Sequence, residues 1–349
     1  MAAARSLAVL VVAALVCALG PMCAMAGKEL DMAISMGRAA AVRRVLNKGV
    51  ESVNDMAVNS SPPVPALAVA ISTGKMEIAK IMIQEYDADV NLKDGQGLTA
   101  MDAAAFMCDL EIMKLIWEYG GKDKLSTAEA SEDGFHWLHR TLWSDAPPTE
   151  CAEAITWIVA EAGVDVNVKV KHESRAGSTA MHEAANIGKA AQMHALLEAG
   201  ADVNALSDDG NSPLHALCAL AGYYNYIPAA ALLVGKGADK SLLNKDGKTA
   251  LELLIAAQEH AQEEIDKRPK FKNPKGKPMR VEDENGKMRT LNPNYVPRSM
   301  RVYQKIASFI DPDTDWAERF PMGEEELERE KQHVERANAK MKQNKQADL

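Results

Sequence analysis

The chain has 349 residues, two domains' worth, with 40 Lys and Arg against 49 Asp and Glu and a formal net charge of −9. Apolar residues make up 47% and charged residues 26%, a balance that excludes wholesale disorder, collagen-like sequence and a polytopic membrane protein. Aromatics at 5% favour helices packed through small side chains over a β-sandwich, and five cysteines are too few and too scattered for a disulfide-stapled miniprotein.

Residues 1–26 carry one charge, Arg5, then an uncharged run from Leu7 to Leu19, then Gly20-Pro21, and close with Ala24-Met25-Ala26. A basic start, an apolar stretch and a small-x-small site predict a secretory signal peptide cleaved after Ala26, hence a periplasmic or secreted protein. The competing reading is an uncleaved anchor, but Gly20-Pro21 breaks the helix just before the small-residue site. A lipoprotein cysteine needs a small residue before it, and Val16 precedes Cys17 while Met22 precedes Cys23. Cleavage leaves a charge of −10 and three cysteines, Cys108, Cys151 and Cys218. An odd number in an oxidising compartment leaves at least one thiol free or paired between chains. All three sit in apolar helical contexts and read as small buried hydrophobes.

Aligned on itself, the chain shows one pattern seven times. Two copies share nearly the same layout, Gly177-Ser178-Thr179-Ala180-Met181-His182-Glu183-Ala184-Ala185 and Gly210-Asn211-Ser212-Pro213-Leu214-His215-Ala216-Leu217-Cys218. Others begin at Gly97, Gly134 and Gly247, and two degenerate copies start near Leu30 and Leu67, each with a glycine seven positions on, Gly37 and Gly74. The apolar anchors Leu30, Leu67, Met101, Leu138, Met181, Leu214 and Leu251 are spaced by 37, 34, 37, 43, 33 and 37 residues. Units close on a second phrase, as in Gly200-Ala201-Asp202-Val203-Asn204, Gly163-Val164-Asp165-Val166-Asn167 and Asp87-Ala88-Asp89-Val90-Asn91. Over residues 28–262 this pattern resembles the ankyrin repeat, a unit of two antiparallel helices and a projecting hairpin. The resemblance implies an all-α fold: an ankyrin-repeat solenoid of about seven helix-pair repeats with short hairpin loops, plus a C-terminal extension with a small hairpin and helices.

The residues carry a physical account beside the resemblance. Glycine or aspartate at the end of a second helix permits the left-handed cap, so Asp87 can stand where other units have glycine. Thr99, Thr179, Ser212 and Thr249, just after the hairpin glycines, are placed to cap the next helix. No unit buries its apolar face alone, so stacked neighbours must share a core. Gln258-Glu259-His260 turns the last unit polar, as a solvent-facing end requires. Departures fall at Asp145-Ala146-Pro147-Pro148-Thr149, at a longer 168–174 hairpin, and at an insertion over 222–228 between the helices of the sixth unit.

Residues 263–349 differ in character, carrying net charge +2 and leaving the repeat body at −12. The expected organisation is therefore residues 1–26 as signal peptide, 27–262 as solenoid, 263–298 as basic linker with a β-hairpin, and 299–349 as a helical extension. Asn285-Gly286 predicts a two-residue turn that pairs Glu284 with Lys287 and Glu282 with Arg289. Residues 299–310 read as an amphipathic helix with Met300, Tyr303, Ala307 and Ile310 on one stripe, and 324–345 as a charged, solvated helix.

Catalytic, cofactor and metal signals all fall to the repeat register. His182-Glu183-Ala184-Ala185-Asn186 lacks the second histidine of a zinc-protease motif. Gly95-Gln96-Gly97-Leu98-Thr99-Ala100 fits a dinucleotide-binding phrase but lies on a hairpin with no parallel-sheet unit around it. Residues 235–241 echo a phosphate loop but have Asp239 where the second glycine belongs. His139, His182 and His215 recur at one repeat position; the resemblance implies that they bond neighbouring backbone, and Asp102 and Glu252 interrupt any ligand row. No enzyme, cofactor or metal is expected.

What remains is recognition. In ankyrin-like repeats partners dock on hairpin tips and inner helices, which here places Gln96, Leu98, Phe106, Met107, Phe135, Trp143, Arg175, Asn186, Ile187 and Asn211 on the concave, partner-binding groove. Phe106, Met107, Phe135 and Trp143 form its expected centre, because exposed aromatic and Met side chains anchor interfaces; the alternative is that the irregular fourth unit folds these rings into its own core. The leading expectation is a monomeric protein-binding scaffold of the periplasm or envelope. Alternatives are a secreted effector that engages a host or foreign protein, and a weak contact with anionic lipid or polysaccharide through Lys270, Lys272, Lys275 and Lys277. An acidic body argues against nucleic acid.

Overall fold

A computed structural model describes residues 29–49, 51–57, 63–121, 125, 130–221, 226–266, 279–282, 288–291 and 300–319. The expected signal peptide, the basic linker over 267–277, the Asn285-Gly286 turn and the charged helix over 324–345 lie outside the described residues. Among the described residues no helix is long and apolar enough to cross a membrane.

Each anchor predicted from the repeat is the second residue of a helix. The first helices of the seven units are α1 (Glu29–Ser35), α3 (Ala66–Ser72), α5 (Ala100–Met107), α7 (Trp137–Arg140), α9 (Ala180–Ile187), α11 (Pro213–Leu220) and α13 (Ala250–Asp266). Their partners are α2 (Ala39–Asn47), α4 (Met76–Tyr86), α6 (Leu110–Ile116), α8 (Pro148–Ala160), α10 (Ala190–Glu198) and α12 (Tyr226–Gly235). Six of the seven anchors are fully buried or nearly so, and Leu251 of the last unit is half-buried. The caps follow a common plan. Asp87 ends α4 in the left-handed region, φ 53°, and Gly163, Gly200 and Gly237 hold the same region after α8, α10 and α12.

The chain divides into two compact units, residues 1–184 with 191–209 and residues 185–190 with 210–349. In the first, α1, α3, α5 and α7 stack in order, and α2, α4, α6 and α8 stack beside them. The fourth unit is the irregular one. Its first helix is a single turn, while α8 has 13 residues and starts with Pro148, where a missing N–H costs nothing. Pro148 and Thr149, expected in the preceding loop, are therefore helical.

In that unit the cysteines depart from expectation. Cys108 and Cys151 form a disulfide with Cα atoms 5.0 Å apart, so two of the three expected hydrophobes are instead a covalent link between the third and fourth repeats. Cys108 stands seven residues after its anchor, where Gly37, Gly74 and Gly188 stand in other units, and it adopts the same left-handed backbone, φ 53°. Cys218 is a buried free thiol, and burial pushes its pKa up.

In the second unit α11 packs on α12 and α13. Tyr226, Ile227 and Pro228 belong to α12, and residues 222–225 of the expected insertion lie outside the described residues. Helix α13 runs unbroken to Asp266, across the expected boundary at 262. The chain then returns as α14 (Met300–Ile310), which packs against both α12 and α13, followed by α15 (Trp316–Arg319). Helix α14 thus takes the place of the missing second helix of the seventh repeat. Val302, Tyr303, Ile306 and Ala307 are fully buried, and the Tyr303 hydroxyl donates to the Ala221 carbonyl (2.8 Å). The polar stretch at Gln258 is thus not the end of the stack.

Strands β1 (Met279–Glu282) and β2 (Met288–Leu291) pair antiparallel in a different register from the expected one. Glu282 faces Met288 and Val281 faces Arg289. The register is shifted by one from the expected pairing, which brings apolar Met279 opposite Leu291.

Candidate functional site

The recurring polar position closes a capping box in the third to seventh repeats. Thr99 N–H donates to Asp102 Oδ2 (2.9 Å), His136 N–H to His139 Nδ1 (3.1 Å), Thr179 N–H to His182 Nδ1 (3.1 Å), Ser212 N–H to His215 Nδ1 (3.2 Å) and Thr249 N–H to Glu252 Oε2 (2.7 Å). A carboxylate and a neutral imidazole do the same job because the position needs an acceptor three residues after the cap. With Nδ1 accepting, Nε2 carries the proton, and that of His215 donates to the Lys248 carbonyl of the following hairpin (3.1 Å). Burial and the neighbouring His136 push the His139 pKa down to about 3, which keeps it neutral. His215 thus ties its helix to the following hairpin, as the resemblance implied, whereas the buried Nε2 of His139 meets no hydrogen-bond partner among the described residues. Among the described residues no group of three or more His, Cys, Asp or Glu is placed to hold a metal ion.

The fourth repeat adds a charged layer. The residue after the box histidine is Arg140 in one unit and Glu183 in the next, both at a core-facing position. Arg140 Nε donates to Asp102 Oδ1 (2.6 Å) and its Nη2 to both oxygens of Asp133 (2.8 Å each); Arg140 and Asp102 have side chains 8% and 3% exposed. Burial opposes the guanidinium charge, but the two carboxylates outweigh it and raise its pKa. Ser131 Oγ also donates to Asp102 Oδ1 (2.9 Å). Glu183 is fully buried and paired with half-exposed Arg175; its desolvation raises the carboxyl pKa despite that partner.

On this layer lies an aromatic ledge. Because α7 ends at Arg140, Trp143 leaves the helix axis and meets Phe135 edge-on at 4.8 Å between ring centroids. Phe135 also stacks on His172 (5.4 Å), and the Arg140 guanidinium sits 6.0 Å from the Trp143 centroid. Phe135 and Trp143 are half-buried: they pack on each other and keep one side open. Phe106 and Met107, in the last turn of α5, are half-buried on the helix that stacks against α7. Of the other expected residues in the first unit, Gln96 is exposed on its hairpin, and Leu98 and Arg175 are half-buried.

Asn186, Ile187 and Asn211 belong to the second unit and are half-buried there. The Asn186 carbonyl accepts from the Tyr226 hydroxyl (2.7 Å), and Asn211 Oδ1 accepts from Asn244 Nδ2 (2.9 Å). The sequence reading missed His172, Arg140 and Glu183. The available signal was two charged residues at one register position that is alanine in the third and sixth units, Ala103 and Ala216.

Residues 67–116 match the family model described as ankyrin repeats (many copies), and residues 147–242 the model described as ankyrin repeats (3 copies). The chain is 29% identical to the chicken nuclear factor NF-kappa-B p105 subunit over 181 residues, 51% of this chain and 17% of that protein. It is 38% identical to human BCL-6 corepressor-like protein 1 over 84 residues, 24% of this chain and 4% of that one. A fowlpox virus (strain NVSL) ankyrin repeat protein is 26% identical over 197 residues, 56% of this chain and 95% of its own length. The chain thus spans less than a fifth of the first two relatives. Among solved structures, the ankyrin repeat domain of Bcl-3 superposes with TM-score 0.51 at 23% identity, covering 65% of this chain and 93% of that one. The ankyrin repeat domain of human ASB11 gives 0.50 at 25% identity, covering 65% and 91%. The fold is that of ankyrin repeat domains, and repeats of this kind are protein–protein interaction modules.

Proposed function

On the premise that residues 67–116 and 147–242 are ankyrin repeats, we propose that this chain is a non-enzymatic scaffold of the periplasm or cell envelope that grips a protein partner on the first-helix and hairpin face. The observation that carries the reading is the ledge of Phe135 and Trp143. Large rings that pack edge-on, rest on a buried ion cluster and keep one side open lose little side-chain entropy when a partner covers them. The buried Cys108–Cys151 link supports the compartment, because such bonds persist where thiols are not kept reduced.

Crosslinking the full chain in its native cells, followed by mass spectrometry, should capture a protein with the unaltered sequence and lose it with Phe135→Ala plus Trp143→Ala. Unchanged thermal unfolding of the double variant would show that the fold is intact. Capture that survives the double substitution refutes the ledge as the binding centre. Detection of a free N-terminus at Gly27 tests export.

A further inference from the structure

The second helices of the first unit hold a feature that the ledge does not use. Between α8 and α10 lies a groove of about 530 Å³, lined also by Leu110 and Lys114 of α6. A second hollow of about 420 Å³ adjoins it through the shared residues Leu110 and Glu153 and reaches Cys108 and Met107. The facing walls are small, with Ala152, Thr156 and Ala160 four residues apart on α8 and Ala191 and Ala195 four apart on α10, while Trp157 forms part of the floor. The disulfide at Cys151 clamps the start of the α8 wall to the third repeat.

The rim is acidic. Glu150 and Glu153 project from α8, Glu161 caps its C-terminal end, Asp109 and Glu198 flank them, and Lys114 is the one lysine or arginine among the lining residues. Glu150, Glu153 and Glu161 are exposed and, among the described residues, make no ion pair. A channel between two helices, with alanines along both walls and a mostly acidic edge, is complementary to a third helix with an apolar stripe flanked by cations. The 13 residues of α8 offer a wall roughly 20 Å long at 1.5 Å rise per residue, room for three to four turns.

We propose that this groove docks a cationic amphipathic helix of a partner protein: Leu- or Phe-sized side chains fill the alanine channel, and Lys or Arg lie against Glu150, Glu153 and Glu161. The site is separate from the Phe135–Trp143 ledge.

The probe is a fluorescein-labelled synthetic helix of alternating Leu and Lys at helical spacing, titrated with the full chain at about 0.15 M salt, where long-range attraction is screened. Glu150→Lys, Glu153→Lys and Glu161→Lys together should weaken binding roughly tenfold or more, as loss of rim charges at a desolvated groove does. Reversing the same number of charges elsewhere in the first unit, at Glu77, Glu173 and Asp209, should leave affinity within about twofold if the groove and not net charge is read. Thr156→Trp, which fills the channel without changing charge, should weaken binding as much as the groove reversal does. Phe135→Ala plus Trp143→Ala should leave it unchanged, so failure of the ledge and failure of the groove are distinguishable. The proposal is overturned by equal losses in the two charge-reversed proteins, by a Thr156→Trp protein that binds normally, by no binding of the Leu/Lys helix, or by a dimer of the unaltered chain that the groove reversal dissociates.

Discussion

Removing the Cys108–Cys151 bond is the most informative perturbation of the first unit. The bond closes a loop of 43 residues. In the chain-entropy model a loop of that size restrains the unfolded chain by about 4 kcal/mol, so Cys108→Ala with Cys151→Ala should lower stability by about that much and the melting temperature by about 10 °C. A second pair separates the bond from the backbone it sits on. Cys108 holds φ 53°, a region that costs a non-glycine residue roughly 1 kcal/mol. Cys108→Gly with Cys151→Ala should therefore be about 1 kcal/mol more stable than the alanine pair. Urea unfolding of both pairs, read by circular dichroism with and without reductant, gives the two differences. Non-reducing peptide mapping by mass spectrometry reports the bond itself. A map showing both thiols free, or an alanine pair as stable as the oxidised chain, refutes the reasoning.

Further expectations concern the charged layer, the box histidine and the end of the stack. Arg140→Ala leaves Asp102 buried without its cation and should cost about 3–5 kcal/mol by urea unfolding. His139 is held neutral with its pKa near 3, below the ordinary imidazole value, so between those values the unfolded chain binds a proton that the folded chain does not. Stability should therefore fall as pH drops through that window, and His139→Gln, which keeps an acceptor for the cap, should flatten the slope of urea midpoint against pH below 6. Tyr303→Ala opens a cavity under α14 and removes the bond to Ala221, a loss of about 3–5 kcal/mol that should appear as faster hydrogen exchange in α12 and α13.

Much of the repeat was legible because it rests on local chemistry. A helix starts where a Thr or Ser cap meets an acceptor three residues on, as before Met101, Met181, Leu214 and Leu251, whereas His136 takes the cap before Leu138 and Pro65, with no side-chain bond, before Leu67. Asp87 was readable as a left-handed cap for the same reason. The disulfide was not, because its geometry arises only when repeats three and four stack; the one local trace was a cysteine at the position that other units give to glycine. The stripe of α14 was visible in Tyr303, Ala307 and Ile310, but no periodicity says which surface an amphipathic helix will cover. Phe135 and Trp143 posed a choice between core and surface, and the single-turn α7 lets them be partly both. The strand register differs by one from that expected around Asn285-Gly286 and sets Met279 opposite Leu291.

The return of α14 has a consequence for the order of assembly. Most neighbouring repeats meet across about 35 residues of chain, whereas Tyr303 closes on Ala221 across 82. At roughly 5–20 residues per second of synthesis, some 4–15 s pass between the appearance of Gly235 and that of Ile310. Throughout that interval the apolar flank of α12 is uncovered in the nascent protein, longer than a flank covered by the next repeat in sequence, and a holdase that shields this strip would act there.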